Sequence, residues 1–305
     1  MRVLVTGGFG FIGSHLVETL NSRGYETTVV DITSHGYQTK EIQFLNIDIR
    51  DYTRLRNSIK KVDFIVHLAA LINAHESVQV PKLYHDVNVN GTLSLLKLCR
   101  DFKVEKLVFA SSAAVYGEAQ YLPINEDHPL RPLNPYGATK VACEAYISAF
   151  HFSYGIPAII LRVFNTYGPK QSGAYVGVIS KFIKRALLGK QLIVYGDGRQ
   201  TRDFIYVSDV VEAIMRALES DLEFGIFNVG TGKATSINEL AELVKRLTNN
   251  KTLPVVHEGE RSGDIRHSCA DIRRARKLLK WAAKVQLKEG LRKTIKWYET
   301  QMYSV

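Results

Sequence analysis

Apolar positions in the first half of the chain alternate between two rhythms. Short unbroken runs, RVLVT (2–6), ETTVV (26–30), EIQFLN (41–46), DFIVHL (63–68), EKLVFA (105–110) and PAIILR (157–162), are rich in β-branched residues. They read as strands, several of them buried on both faces. Between most of them lie helical patterns at 11–24, 52–61, 81–102 and 134–154. Strand–helix–strand alternation predicts an α/β fold, a doubly wound parallel sheet.

After residue 166 the rhythm loosens. A helix is expected at about 174–189, then others near 208–219, 236–247 and 287–300. The run RRARKLLKWAAK (273–284) reads as the solvated face of an amphipathic helix. TYGPKQSG carries the Gly, Pro and Ser of a boundary. The expected division is a cofactor domain over 1–166 and a smaller, mainly substrate-binding lobe over 167–305. Segments near 203–230 are expected to pack back on the first domain.

Composition narrows the class. The chain has 305 residues, with 46% hydrophobic and 23% charged residues, as in a globular domain with a sizeable core. No apolar run reaches membrane-spanning length, and MRVLVTGG does not read as a signal peptide. Cys99, Cys143 and Cys269 lack metal-ligand spacing, so a reduced cytoplasmic protein without a metal is the reading. The nine histidines, His67 and His151 among them, form no metal set. A formal charge of +10 suits an anionic ligand. No zinc-finger or basic–aromatic pattern points to nucleic acid.

Chemistry enters at the first turn. Strand RVLVT runs into GGFGFIGSHL, where Gly7, Gly10 and Gly13 give G-x-x-G-x-x-G. Such a turn lets the backbone approach a pyrophosphate, and the helix that follows aims N–H groups and a positive dipole end at it. Asp31 ends the second strand 18 residues beyond Gly13, where a carboxylate holds a ribose and repels a 2′-phosphate. That favours NAD over NADP. Asp48, in NIDIRD, could reach the adenine.

Tyr136 and Lys140 in NPYGATK are one helical turn apart and share a face. A nearby ammonium should lower the phenol pKa and make Tyr136 an acid–base group. Before them stands SSAAVYG (111–117), small and polar after a buried strand.

With these motifs the sequence resembles the extended short-chain dehydrogenase/reductases of the NAD-dependent epimerase/dehydratase family. TGGFGFIGSHL, HLAA (67–70), NVNGT (88–92), SSAAVYG, YGATK, RVFNTYGP (162–169), GDGRQTRDFIYVSD (196–209) and RSGDIRHSCAD (261–271) carry the resemblance over nearly the whole chain. It implies a Rossmann domain, a C-terminal nucleotide-sugar lobe and an NAD that stays bound. By the same resemblance, Gly7, Gly10, Phe11, Ile12 and Gly13 line the pyrophosphate, Asp31 the ribose, and Asp48 with Ile49 the adenine end. Leu68, Ala69, Ala70, Asn88, Ser111 and Val163 line the cofactor channel, and Lys140 reaches the nicotinamide ribose. Tyr136 and Ser112 meet the reacting hydroxyl. Asn165, Val178, Ile179, Tyr195, Arg202, Arg261 and Asp264 would hold a UDP moiety, with Arg202 and Arg261 on the pyrophosphate and Asp264 on the ribose.

Three reactions share this frame: 4-epimerisation, dehydration, and oxidative decarboxylation of a uronic acid. Each begins by oxidising the sugar at C4. By resemblance, the second and third place acid–base side chains just before V-Y-G, where this chain has Ala113 and Ala114. Alanine transfers no proton, so the resemblance points to a UDP-sugar 4-epimerase. The dehydratase and uronate decarboxylase readings stay as alternatives, with a non-catalytic NAD-binding module as a third. Ser268 matches a gate beside the sugar C2 substituent, and its small size implies tolerance of N-acetylhexosamines. Apolar residues around helices 88–102 and 139–154 could be buried under the sheet or meet a second copy; the resemblance implies a homodimer.

Overall fold

The computed structural model describes residues 1–33, 42–171, 177–260 and 263–303. In the first half the strands are β1 (Arg2–Thr6), β2 (Glu26–Asp31), β3 (Ile42–Asn46), β4 (Phe64–His67), β5 (Lys106–Ser112) and β6 (Ala158–Val163). The second half adds β7 (Asn165–Tyr167), β8 (Leu192–Tyr195), β9 (Thr201–Tyr206), β10 (Phe224–Val229), β11 (Ala234–Ser236) and β12 (Val255–Glu258). Seven of them form one sheet in the order β10-β6-β5-β4-β1-β2-β3. Every pairing in it is parallel. This is the doubly wound Rossmann sheet expected from the alternation.

The sheet is covered on both faces because its residues alternate between two apolar layers. Val3, Val5, Val66 and Val108 meet Leu16, Val17 and Leu20 of the first helix and Val210, Ile214 and Met215 of another. Leu4, Val30, Ile65, Leu107 and Phe109 meet Leu95, Leu96, Leu98, Cys143 and Ile147. Each fully buried side chain of this size contributes about 1.5–3 kcal/mol.

The second strand set is small: β11-β9-β7 and β12-β8. Helices Val178–Leu187, Ile237–Leu247 and Leu287–Tyr303 close over it, burying Phe182, Ile183, Leu240, Val244, Leu291 and Ile295. A capping box starts the middle helix: Ser236 Oγ accepts from the Glu239 N–H (3.1 Å), and Glu239 Oε2 accepts from the Ser236 N–H (2.8 Å).

Three expectations change. β10 was not among the six expected strands, because Gly225 and Asn228 dilute its apolar run; it pairs with β6, Ile226 opposite Ile160. The helix expected over 273–284 is a single wide turn, Ala275–Leu279, ended by Lys280 at φ +53°. The chain leaves the helix there so that Trp281 can enter the main core, its Nε1–H donating to the Asp209 carbonyl (3.0 Å). The helical stretch 81–102 is interrupted by a π segment, His85–Asn90. Among the described residues, no helix is long and apolar enough to cross a membrane.

Candidate active site

The C-terminal ends of β1, β4, β5 and β6 open on one edge of the sheet. Connections after β1 and β4 leave on opposite sides, which makes the crevice characteristic of such folds. The turn after β1 is tightly built. The Gly7 N–H donates to the Val30 carbonyl (2.9 Å), and the Gly10 N–H to the Gly7 carbonyl (3.1 Å). Gly7 sits at φ +70°, and a Cβ there would lie 2.7 Å from the Ala69 nitrogen, so only glycine fits. Gly10 then caps helix Phe11–Ser22, which has no side-chain cap on its first N–H groups. An uncapped, glycine-walled helix start fits the pyrophosphate of a dinucleotide.

Asp31 stands beside that turn. Its Oδ2 accepts from the Phe9 N–H and its Oδ1 from the Thr33 N–H, each at 3.1 Å. Ala69 is held by a buried relay. The Ala69 N–H donates to Thr6 Oγ1 (3.3 Å), and His67 lies between Thr6 Oγ1 (2.8 Å) and Thr92 Oγ1 (3.0 Å). Thr92 donates onward to the Asn88 carbonyl (2.6 Å), so it accepts from His67 Nε2–H. Burial pushes His67 down to about 3, which keeps it neutral. Asn88 clamps the backbone of Leu71 from both sides (2.8 and 3.0 Å), fixing the wall formed by Leu68, Ala69 and Ala70. At the adenine end the picture differs from expectation. Asp48 is occupied by Arg50 (2.6 Å), whose hydrogen bond holds its carboxyl below the usual range. Ile49 is buried, with its side chain in the core.

Helix Pro135–Tyr154 carries the expected acid–base pair. Asn134 caps it by accepting from the Gly137 N–H (2.9 Å), and Pro135 stands at its first position. A Cβ on Gly137 would lie 2.7 Å from the Ala114 carbonyl; this glycine brings the helix against the SSAAVYG segment. Ser112 Oγ accepts from the Ala114 N–H (3.1 Å) and hydrogen-bonds Tyr136. Lys140 Nζ donates to the Ala110 carbonyl (2.8 Å) and lies 4.6 Å from the centre of the Phe109 ring. Burial lowers the Lys140 ammonium to about 8.

Two details correct the sequence reading. Burial raises the Tyr136 hydroxyl, with only the Ser112 bond opposing it, so the lowering expected from Lys140 is absent. Ser111 was expected to line the cofactor channel, but its side chain is buried and donates to the Glu144 carboxylate. Adjacent strand residues face opposite ways, so Ser112 points to Tyr136 and Ser111 points inward. Val163 ends β6, nearly buried, next to Ser112 in the sheet register.

Sequence reasoning missed Glu144. It lies one turn beyond Lys140 and forms a bidentate pair with Arg162 (2.7 Å), both almost fully buried. Y-x-x-x-K-x-x-x-E puts Glu144 on the Tyr136–Lys140 stripe, a signal that was available in the spacing.

The substrate side is looser. Arg202 and Asp264, both expected at the UDP moiety, come together (2.5 Å). Asp203 is buried and accepts from the Thr231, Gly232 and Ala270 N–H groups. Asn165 is exposed at the start of β7, and half-buried Tyr195 ends β8, its carbonyl accepting from Gln200 (2.7 Å). Val178 opens its helix, but Ile179 turns into the lobe core, leaving it only backbone to offer a ligand. Ser268 is nearly buried in a segment stitched on both sides. Its N–H donates to the Thr201 carbonyl (3.2 Å), and the Ile124 N–H donates to the Cys269 carbonyl (2.8 Å). Arg261 lies outside the described residues.

The family profile described as "GDP-mannose 4,6 dehydratase" matches residues 4–294. The chain belongs to the NAD-dependent epimerase/dehydratase family. Within it the chain falls among the UDP-sugar 4-epimerases. A "Putative UDP-glucose 4-epimerase" of Methanocaldococcus jannaschii is 41% identical, covering 97% of each chain. The UDP-glucose 4-epimerase structure of Thermotoga maritima with UDP-glucose superposes with a TM-score of 0.95 at 36% identity, covering 99% of this chain and 100% of that one. The Thermus thermophilus UDP-glucose 4-epimerase complex with NAD gives a TM-score of 0.91 at 39% identity, covering 98% and 99%.

Proposed function

We propose that the protein is a UDP-sugar 4-epimerase whose core pair is UDP-glucose and UDP-galactose. One observation carries this reading. Tyr136, Ser112 and Lys140 converge at the end of β5, and the next two side chains are the methyl groups of Ala113 and Ala114. Dehydration and decarboxylation call for further proton transfer there, and alanine supplies none.

When bound, NAD would supply the hydride acceptor at C4 and then the donor, and would bring a positive charge. Tyr136, as the phenolate, would take the C4 hydroxyl proton and later return it, and the positive charge that bound NAD would bring favours that phenolate against its burial. Ser112 accepts from the Ala114 N–H, which leaves its own O–H to donate to the Tyr136 oxygen while that oxygen is a phenolate, before it takes the proton. Lys140 holds positive charge at the same helix face while its ammonium survives. The 4-keto sugar turns in the pocket and is reduced on its other face, and two methyl groups leave room for that.

In this reading Gly7, Gly10, Phe11, Ile12, Gly13, Asp31 and the 68–70 wall hold the cofactor. Residues 1–166 form its domain, joined by β10 and helix Val207–Glu219 from the later chain. Residues 167–305 mainly bind UDP through Tyr195, Arg202, Asp264 and Arg261 and the backbone at Val178 and Ile179, joined by Asn165 from the end of the first domain. Arg202 would exchange Asp264 for the pyrophosphate. Ser268 admits N-acetyl groups, so UDP-N-acetylhexosamines are accepted as well. The protein is a cytoplasmic homodimer, meeting its copy through the exposed Val78, Leu83, Tyr146, Phe152 and Tyr154.

The test is to incubate purified protein, without added cofactor, with UDP-glucose, UDP-galactose, UDP-glucuronate and both UDP-N-acetylhexosamines, and to identify products by NMR. C4 epimers are expected from the neutral sugars. Release of water or carbon dioxide overturns the reading.

A further inference from the structure

Behind the SSAAVYG segment lies a buried charged cluster that the proposed chemistry does not use. Arg162 Nε donates to both Glu144 oxygens (3.1 Å each), and its Nη2 to Oε2 (2.7 Å). Arg162 Nη1 donates to the Tyr116 hydroxyl oxygen (3.1 Å) and to the Glu126 carbonyl (2.9 Å). The Tyr116 hydroxyl donates to Asn228 Oδ1 (2.6 Å). Asn228 in turn donates through Nδ2 to the Ile124 carbonyl (2.8 Å) and the Asp271 carbonyl (3.3 Å), and through its N–H to Glu126 Oε1 (2.8 Å).

A buried ion pair is a poor source of stability, since desolvation offsets much of its attraction and an apolar pair of equal volume often does as well. Two features point elsewhere. The cluster touches both ends of the segment that carries Ser112: Ser111 donates to Glu144, and Tyr116 bonds Arg162. It also ends on Ile124 and Asp271, and Asp271 lies in the segment that carries Ser268. Tyr116, Ile124 and Ala270 share one apolar cluster, with Ala113 packed against it. Because Ser111 and Ser112 face opposite sides of β5, fixing one fixes the direction of the other.

We propose that Glu144, Arg162, Tyr116 and Asn228 form a positioning device. It clamps the 111–116 segment at both ends so that the Ser112 hydroxyl meets Tyr136, and it holds the 268–271 segment in register with that site. None of the four acts on substrate directly. The inference rests on the proposed roles of Ser112 and Tyr136.

Ser111→Ala and Tyr116→Phe each remove one hydroxyl and leave the ion pair intact. They are compared with wild type, with UDP-galactose as substrate, well below their melting temperatures. Each is expected to lower kcat about tenfold with KM within twofold, since small misalignments are costly in rate. Ser111→Thr, which keeps the hydroxyl, is expected to recover most of kcat. Wild-type kcat and KM in both variants, with only a lowered melting temperature, would overturn the proposal, as would a raised KM at unchanged kcat. A wild-type enzyme that turns over no UDP-sugar overturns the functional reading and this inference with it, and the wild-type control tells that failure apart.

Discussion

The two walls of the cleft are built on different principles. On the sheet side, backbone is locked by a continuous seven-stranded parallel sheet, by a glycine that admits no Cβ, and by the Thr6–His67–Thr92 relay. Its buried polar groups find partners inside the protein, as Thr6, His67 and Thr92 do. On the lobe side, strands are three to six residues long, and the charged side chains that suit a nucleotide are paired with each other. Arg202 with Asp264 and Arg266 with Asp197 are partnerships near the surface, worth little and easily exchanged. In the proposed reading the first wall holds the cofactor through turnover, and the second lets a sugar nucleotide enter, turn and leave.

Changes on the sheet side should therefore abolish chemistry or cofactor retention, and changes on the lobe side should shift affinity and selectivity. The largest expected effect is at the acid–base group. Tyr136→Phe should lower kcat by about 10³-fold or more, with NAD content and melting temperature near wild type. Gly7→Ala forces a Cβ against Ala69 at φ +70°. It should strip the protein of retained nucleotide, read from the 260/280 nm ratio and from chromatography of the heat-released ligand, with a stability loss of about 1–3 kcal/mol.

Lobe changes should be milder and of another kind. Arg202→Met should raise KM for UDP-sugars about tenfold while kcat stays within threefold, because an arginine that binds the pyrophosphate contributes equally before and during the reaction. Ser268→Tyr should lower turnover of UDP-N-acetylglucosamine about tenfold relative to UDP-glucose; unchanged selectivity removes Ser268 from the gate. The smallest effect returns to the sheet side. Lys140 is charged below its value of about 8 and neutral above it. The pH profile of kcat should therefore fall as pH rises through that region, and Lys140→Met should lack this limb.

The same contrast governs what could be read in advance. Six strands of the sheet were legible, the central ones because a strand buried on both faces must be continuously apolar and the edge strand β3 from its short apolar run alone. The seventh was not, since Gly225 and Asn228 break its pattern while Asn228 serves a cluster assembled from distant segments. The stripe at 273–284 has helical spacing, yet Trp281 packs in the main core and the helix stops to let it. At the site, spacing along one helix was enough to pair Tyr136 with Lys140. It could not show that burial would raise the Tyr136 hydroxyl, opposed by the Ser112 bond and not by the ammonium. Nor could it show that Arg162, 18 residues from Glu144 on another element, would complete a buried ion pair. Contacts across elements follow from topology, and no local pattern records them.

The central claim is that the hydride leaves C4 and returns to the same carbon on the other face. The direct test uses UDP-galactose carrying deuterium at C4, incubated with purified protein and no added cofactor, with the product read by NMR and mass spectrometry. The account predicts UDP-glucose that keeps its deuterium at C4. Deuterium lost to solvent, or a product lighter by water, would contradict it.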